Sequence, residues 1–318
     1  MRRRILAGTE AHHTSGVFHG GPAEQEGAPR KRGVWQWLKT GVLAICGAAL
    51  IHQFIFQPYV VPSPSMEPTL IPGDYVLVSK FHYGAQTPHS IRLPFTKLYV
   101  SGLELPMFRL PGLSEVKRGD AIAFYYPAAE HPTDQNPVYL KRAVGLPGDV
   151  VELREQALYV NGKRLLWEST TRQSLSVQES NSGPPLKRRG YDPLIFPRGH
   201  GYTSDDYGPV EVPKRGDIIT LTSDKWSLYE AIIRDYENHD VRQLEDGTFE
   251  IEGIKTEHYV IEQNYFFVLG DNRDHSLDSR FWGFLPESHV VGKAVTILFS
   301  WDIEAKHPKW SRMFQRIP

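Results

Sequence analysis

Hydrophobic and polar positions follow two regimes along this chain. From Trp35 to Phe56 apolar residues dominate, and Gly41 to Ile51 runs without a polar side chain. The strictly apolar stretch is shorter than the roughly 20 residues a spanning helix needs, but counting from Trp35 to Phe56 reaches that length. His52 and Gln53 then sit near its exit, Trp35 and Trp37 suit an interfacial belt, and Lys39 can reach back to headgroups. A buried core helix would fit so short a stretch too. A cleavable signal peptide would need a short basic leader, and the polar tail ahead of this segment is far too long. The reading that fits best is one membrane anchor over residues 34–57. Arg2, Arg3, Arg4, Arg30, Lys31 and Arg32 precede it, so the positive-inside rule leaves the N-terminus cytoplasmic and everything after Pro58 outside. Residues 1–33, polar and glycine-rich, read as a disordered cytoplasmic tail, and His12, His13 and His19 on it make a weak metal site.

After Pro58 the helical period gives way to short β-rich runs, each entered through a turn. The device appears as Gly73-Asp74, Gly119-Asp120, Gly148-Asp149 and Gly216-Asp217, with alternating residues behind it. Asn161-Gly162 predicts a hairpin between Leu158 and Leu165. Phe249–Ile251, His258–Ile261 and Tyr265–Leu269 read as further strands, and residues 226–239 as a helix capped by Ser223 or Asp224. Residues 84–112, rich in proline, read as an extended excursion with no assignable role. The expected fold is mainly β. An antiparallel catalytic core over 58–151 and 262–318 is interrupted by a β-rich insertion over 152–261, behind one N-terminal transmembrane helix.

Length and charge narrow this little. A chain of 318 residues holds one large domain or two ordinary ones, and a net charge of −1 gives no field for nucleic acid. The single cysteine, Cys46, lies in the apolar segment, so the soluble part must be stabilised by its core rather than by disulfides.

The candidate chemistry sits in three blocks. In Pro62-Ser63-Pro64-Ser65-Met66-Glu67-Pro68-Thr69-Leu70, prolines stiffen the backbone around two serines, and a non-helical course is expected. A serine cannot attack an amide unaided, so a base is needed. Lys141 offers one in the apolar run Tyr139-Leu140-Lys141-Arg142-Ala143-Val144, where alternation puts Lys141 and Arg142 on opposite faces. Leu140, Ala143 and Val144 would disfavour its ammonium form. The third block, Gly270-Asp271-Asn272-Arg273-Asp274-His275-Ser276-Leu277-Asp278-Ser279-Arg280, gathers polar groups around another serine.

The three blocks, in this order behind one anchor, resemble the bacterial type I signal (leader) peptidases, serine proteases with a Ser/Lys dyad. The resemblance covers about Tyr59 to Trp301 and leaves out the tail and the middle of the chain. It implies Ser65 as nucleophile and Lys141 as general base. The Ser65 amide and the Ser63 hydroxyl would form the oxyanion hole, and Ser276 would orient the lysine by a hydrogen bond. Asp278–Arg280 and Asp271–Arg142 would be supporting ion pairs. Val61, Met66, Leu70, Tyr139 and Leu140 would line shallow pockets that admit small residues at the first and third positions before the cut. Pro64 stands where many relatives carry glycine; the implied oxyanion hole does not use its missing N–H. Some members have two spans, and this chain shows one.

The resulting expectation is a membrane endopeptidase, free of metal and cofactor, that cuts signal peptides from secretory preproteins at the outer face of the cytoplasmic membrane. Its partners would be those preproteins and membrane lipid, not nucleic acid. The alternative is an anchored β-rich envelope module with calcium in the Asp271–Asp278 loop, although that spacing is not an EF-hand. His275 could be taken for a Ser/His base. Ser114-Glu115-Val116-Lys117 matches a Ser-x-x-Lys pattern without its companion motifs.

Overall fold

A computed structural model describes residues 34–87, 90–92, 99–104, 108–127, 137–166 and 194–318. The expected tail 1–33, parts of the expected excursion over 84–112 and residues 167–193 of the expected insertion lie outside these residues. Helix α1 spans Val34–Phe54. Its stretch Trp35–Phe54 is long and apolar enough to cross a membrane, and none of it is buried against protein. Trp35, Trp37 and Leu43 are more than half exposed. The helix stops at Phe54, and the first strand begins at Phe56, two residues before the expected start of the core.

From Gly47 onward the chain forms one compact unit. Its strands are β1 (Phe56–Val60), β2 (Asp74–Ser79), β3 (Ser90–Arg92), β4 (Tyr99–Glu104), β5 (Ala121–Tyr125), β6 (Val138–Gly145), β7 (Val150–Arg154), β8 (Ala157–Val160) and β9 (Lys163–Arg164). They continue with β10 (Tyr207–Glu211), β11 (Ile218–Thr220), β12 (Val241–Gln243), β13 (Phe249–Ile251), β14 (Ile254–Thr256) and β15 (His258–Val260). The last are β16 (Tyr265–Leu269), β17 (Leu285–Pro286), β18 (Val290–Asp302) and β19 (His307–Pro308). The main sheet runs β1-β2-β18-β5-β6-β16-β17, with β19 on β18, and every pair is antiparallel. Bulges in the long β18 opposite β2 bend the sheet. Strand β5 is buried on both faces, which is why its sequence, Ala-Ile-Ala-Phe-Tyr, lacks the usual polar alternation. Ala121 and Ala123 join Val61, Met66, Leu70, Val76 and Ile297 on one side. Ile122 and Phe124 join Tyr83, Ala143, Val268 and Val290 on the other.

The four Gly-Asp turns are one device used four times. Gly73, Gly119, Gly148 and Gly216 all have φ between +83° and +100°, a region that favours glycine. In each copy the aspartate accepts the N–H three residues back: Asp74 from Ile71, Asp120 from Lys117, Asp149 from Leu146 and Asp217 from Lys214. The Asn161-Gly162 hairpin forms between β8 and β9, both turn residues at positive φ.

The expected insertion holds the sheet β10-β7-β8-β9, the pair β11–β15 and the ribbon β12-β13-β14. Its apolar cluster, with Leu153, Val210, Ile233 and Phe249, is continuous with Tyr265, Phe267 and Leu269 of β16. The expected helix over 226–239 is shorter and differently started. Its α-turns cover Trp226–Ala231, and a wider π-type turn follows over Ile232–Tyr236. Lys225, not Ser223 or Asp224, stands at the cap, without a side-chain bond. The Ser223 hydroxyl accepts from Gln243 instead.

The excursion over 84–112 is tied down where it leaves and rejoins the sheet. Arg109 donates to the carbonyls of Gly84 (2.9 Å), Glu287 (2.8 Å) and Val290 (2.7 Å), and Gln86 donates to Ser288. A Cβ on Gly84 would lie 1.9 Å from the Leu110 oxygen, so no larger residue fits this crossing.

Candidate active site

Ser63 and Ser65 sit where β1 leaves the sheet. Ser63 is extended, as a residue before proline must be, but Ser65 lies in one 3₁₀ turn over Pro64–Met66. The expected non-helical backbone is therefore corrected at Ser65. Proline fits the first position of a helical turn, and Met66, not proline, follows the serine. Glu67, which does precede a proline, returns to extended geometry.

Strand β6 brings Lys141 to this turn. Its Nζ donates to Ser65 Oγ over 2.8 Å and to the Leu140 carbonyl over 3.0 Å, and it stands 5.5 Å from the Tyr139 ring centroid. Ser65 Oγ is also 3.2 Å from Ser63 Oγ. Both Ser65 and Lys141 are buried. Loss of solvent is the largest influence on the lysine and pushes its pKa down to about 8, with Asp278 and Asp271 opposing and Arg280 assisting. The expected alternation holds: Leu140 packs with Val61 and Met66, while Tyr139 and Ala143 pack with Ile122 and Phe124 on the opposite face.

The loop after β16 closes the site. Arg142 grips Asp271 through two buried bonds, Nε to Oδ1 (2.8 Å) and Nη2 to Oδ2 (2.6 Å), and donates to the Gly119 carbonyl over 2.7 Å. Arg280 grips Asp278 in the same two-pronged way, at 2.8 and 2.9 Å. Burial would raise the Asp278 pKa, but the Arg280 guanidinium and the Gly270 N–H hold it below the usual range. Both pairs are almost wholly out of solvent, so removing one partner would strand a buried charge.

Ser276 departs from expectation. Its hydroxyl is buried against Asp278 and makes no hydrogen bond of good geometry, so the implied bond to Lys141 is absent here. The side chain lies against Gly270 instead, and Gly270 also faces the Ser65 carbonyl. A Cβ on Gly270 would lie 2.2 Å from Ser276 Oγ and 2.5 Å from the Ser65 oxygen. The Asn272 N–H donates to that same Ser65 carbonyl over 3.1 Å. Gly270 and Asn272 lie within the third block but had no separate signal; only the close approach of two distant segments gives them a role. His275 Nδ1 is 3.1 Å from Asn272 Oδ1, and the hydrogen bond at Ser65 Oγ comes from Lys141. Ser114 of the chance Ser-x-x-Lys match lies in an irregular loop, its N–H on the His82 carbonyl.

Of the expected pocket residues, Tyr139 and Leu140 are half-buried and near Ser65, whereas Val61, Met66 and Leu70 belong to the core. Leu70 has no exposed surface, so it can only shape a pocket from behind.

A buried lysine bonded to a buried serine hydroxyl, with no histidine in the pair, is the arrangement of a serine hydrolase that uses an amine base. Residues 34–299 match the family model described as signal peptidase, peptidase S26, and the chain belongs to that family. It is 30% identical over 281 residues to the signal peptidase I of Pseudomonas aeruginosa, covering 84% of this chain and 72% of that protein. The signal peptidase I of Aquifex aeolicus is 29% identical over 277 residues, covering 84% and 85%. A crystal structure of a signal peptidase I from Enterococcus faecalis shares 22% identity, covers 56% of this chain and 96% of that one, and has a TM-score of 0.27.

Proposed function

We propose that this protein is a membrane-anchored serine endopeptidase that removes signal peptides from secretory preproteins, with Ser65 as nucleophile and Lys141 as general base. The observation that carries the roles is the 2.8 Å contact between Lys141 Nζ and Ser65 Oγ in a buried site. Ser65 Oγ attacks the scissile carbonyl as its proton passes to neutral Lys141. The oxyanion is received by the Ser65 N–H and the Ser63 hydroxyl, where each preorganised donor is worth on the order of a hundredfold in rate. The Lys141 ammonium then protonates the leaving amine, and water, deprotonated by the same lysine, hydrolyses the ester. Asp278–Arg280 and Asp271–Arg142 keep the loop in place, and Ser276 packs on Gly270 of the same loop. We read α1 as the anchor, with the N-terminus cytoplasmic and the catalytic part outside.

Substrate would lie extended beside β1 and β6, a strand-addition mode. Strand β1 ends the sheet order, and β16 joins β6 only from Arg142 onward. Small residues at the first and third positions before the cut would fit between Tyr139, Leu140 and the buried wall of Val61, Met66 and Leu70. The calcium-module alternative is not supported, since Asp271 and Asp278 are each taken by an arginine.

The test is purified protein with a preprotein in detergent plus chelator. Cleavage after alanine at the signal junction is expected, and Ser65→Ala and Lys141→Met should abolish it. Undiminished cleavage by Lys141→Met, or equal rates for alanine and phenylalanine before the cut, would overturn the base or the pocket assignment respectively.

A further inference from the structure

The third prong of Arg280 leaves the catalytic loop altogether. With Nε and Nη2 on Asp278, and Nη2 also on the Arg273 carbonyl (2.7 Å), its Nη1 donates to the carbonyl of Ser204 over 2.9 Å. Ser204 belongs to the expected insertion, distant in sequence from every residue of the site. Arg280 is fully buried, so any N–H left unmatched would carry the whole desolvation cost.

The turn that presents Ser204 is heavily fixed. The Thr203 hydroxyl accepts from the N–H of Asp206 (2.9 Å) and of Asp205 (3.3 Å), and the Thr203 N–H donates to the Asp206 carbonyl (2.9 Å). The turn between β7 and β8 holds it from outside: the Gln156 N–H donates to the Asp205 carbonyl, and the Glu155 N–H to Asp206 Oδ1. The Gln156 side chain bridges Asp205 Oδ1 (3.0 Å) and Asp274 Oδ1 (3.4 Å), the latter on the catalytic loop. A second contact lies nearby, where the Phe196 N–H donates to the Arg280 carbonyl. The Phe196 ring fills the space a side chain on Gly283 would need.

We propose that the Thr203–Asp206 turn is a positioning element of the Ser65–Lys141 pair, because its Ser204 carbonyl completes the bonding of Arg280 and thereby fixes the Asp278 carboxylate beside the lysine. This gives the insertion a part in the reaction without substrate contact, and it rests on the Ser/Lys reading above. The charged groups facing Lys141 are Asp278, Asp271 and Arg280. Those facing Arg280 are Asp278, Asp205 and Asp274, with Arg273 packed alongside. If Ser204 lets go, Arg280 neutralises Asp278 less well, and the freer carboxylate favours the ammonium form of Lys141.

The experiment uses the full chain in detergent micelles and a peptide with alanine at the first and third positions before the cut. Thr203→Val removes the ordering hydroxyl at nearly constant volume, and Thr203→Ser restores it. For Thr203→Val we expect the acid limb of kcat/KM to move up by about 0.5–1 pH unit. The loss at pH 7 should be roughly 3–10-fold, carried by kcat, with KM within about twofold. Thr203→Ser should return both to wild type. Gln156→Met, which removes the bridge to Asp274, should shift the limb the same way and decides the matter if Thr203→Val does not fold. A limb that stays in place in the folded variant overturns the proposal, even if thermal stability falls. A wild-type profile without a lysine limb would instead overturn the Ser/Lys reading itself.

Discussion

Lys141 loses its solvent in β6 and recovers only part of that loss from Asp271 and Asp278, which sets the pH at which the site can work. An ordinary lysine near pKa 10.4 is only about 0.4% neutral at pH 8, whereas one at about 8 is roughly half neutral there. On the roles proposed above, Lys141 must be neutral to take the Ser65 proton, so kcat/KM should rise through about pH 8, level off near pH 9 and fall about tenfold per unit below pH 7. A histidine base would complete its rise near pH 6.5–7. Lys141→Arg should be inactive because a guanidinium stays charged, and His275→Ala should keep the wild-type limb. An acid limb near pH 6.5 that disappears in His275→Ala would reassign the base. The meeting of Ser65 with Lys141, and of Asp271 and Asp278 with arginines, was expected because their blocks carry recognisable patterns. The approach of Gly270 to the Ser65 carbonyl was not, because it is a distance between two segments far apart in the chain and leaves no mark in either. It carries its own expectation: Gly270→Ala drives a methyl into Ser276 and the Ser65 carbonyl, so activity should fall at least a hundredfold while circular dichroism stays native-like. Wild-type turnover by that variant would show that the loop can retreat without disturbing the pair.

At the scale of elements, the Gly-Asp turns were the most readable feature, because a positive-φ glycine followed by a capping aspartate is a local device that needs no tertiary help. The helix over 226–239 was less readable. Its apolar spacing suggests a continuous period, but the chain widens to a π-type turn at Ile232 so that Ile232 and Ile233 both enter the core. Glu237 then stops it by accepting the hydroxyls of Tyr259 and Tyr265. The excursion over 84–112 had no period at all, and among its described residues Arg109, with Gln86 beside it, ties it to the segment around Glu287 and Val290. Lysine cannot reproduce the fork that lets Arg109 reach the Gly84, Glu287 and Val290 carbonyls together. Arg109→Lys should therefore cost about 1–3 kcal/mol, read as a lower urea midpoint with an unchanged slope. A midpoint equal to wild type would mean that those carbonyls find other donors.

Over the compact unit from Gly47 to Pro318, one apolar cluster runs out of β16 into the expected insertion, so the two should unfold together. His289 stands on this shared ground. It is buried just before β18, its ring meets Tyr236 of the insertion edge-on at 5.8 Å, and Ser288 Oγ lies 3.2 Å from its Nδ1. Burial pushes its pKa down to about 4, so the folded protein holds the neutral ring where the unfolded chain would bind a proton. The sign follows from linkage: below about pH 6.5 the unfolded state takes up the proton first, so stability present above that pH drains away as pH falls towards 4. The full loss is on the order of 3 kcal/mol. His82, also lowered by burial, adds in the same direction, whereas Asp120 and Asp278, held below the usual carboxylate range, act only at lower pH. Thermal denaturation of the full chain should thus show a Tm that falls steadily from pH 6.5 to 4 as a single transition. His289→Gln, which cannot take up a proton, should flatten that slope while lowering stability at pH 7 through lost packing. If His289→Gln keeps the wild-type slope, the acid sensitivity lies elsewhere; if the transition splits in two, the shared cluster does not couple the insertion to the sheet.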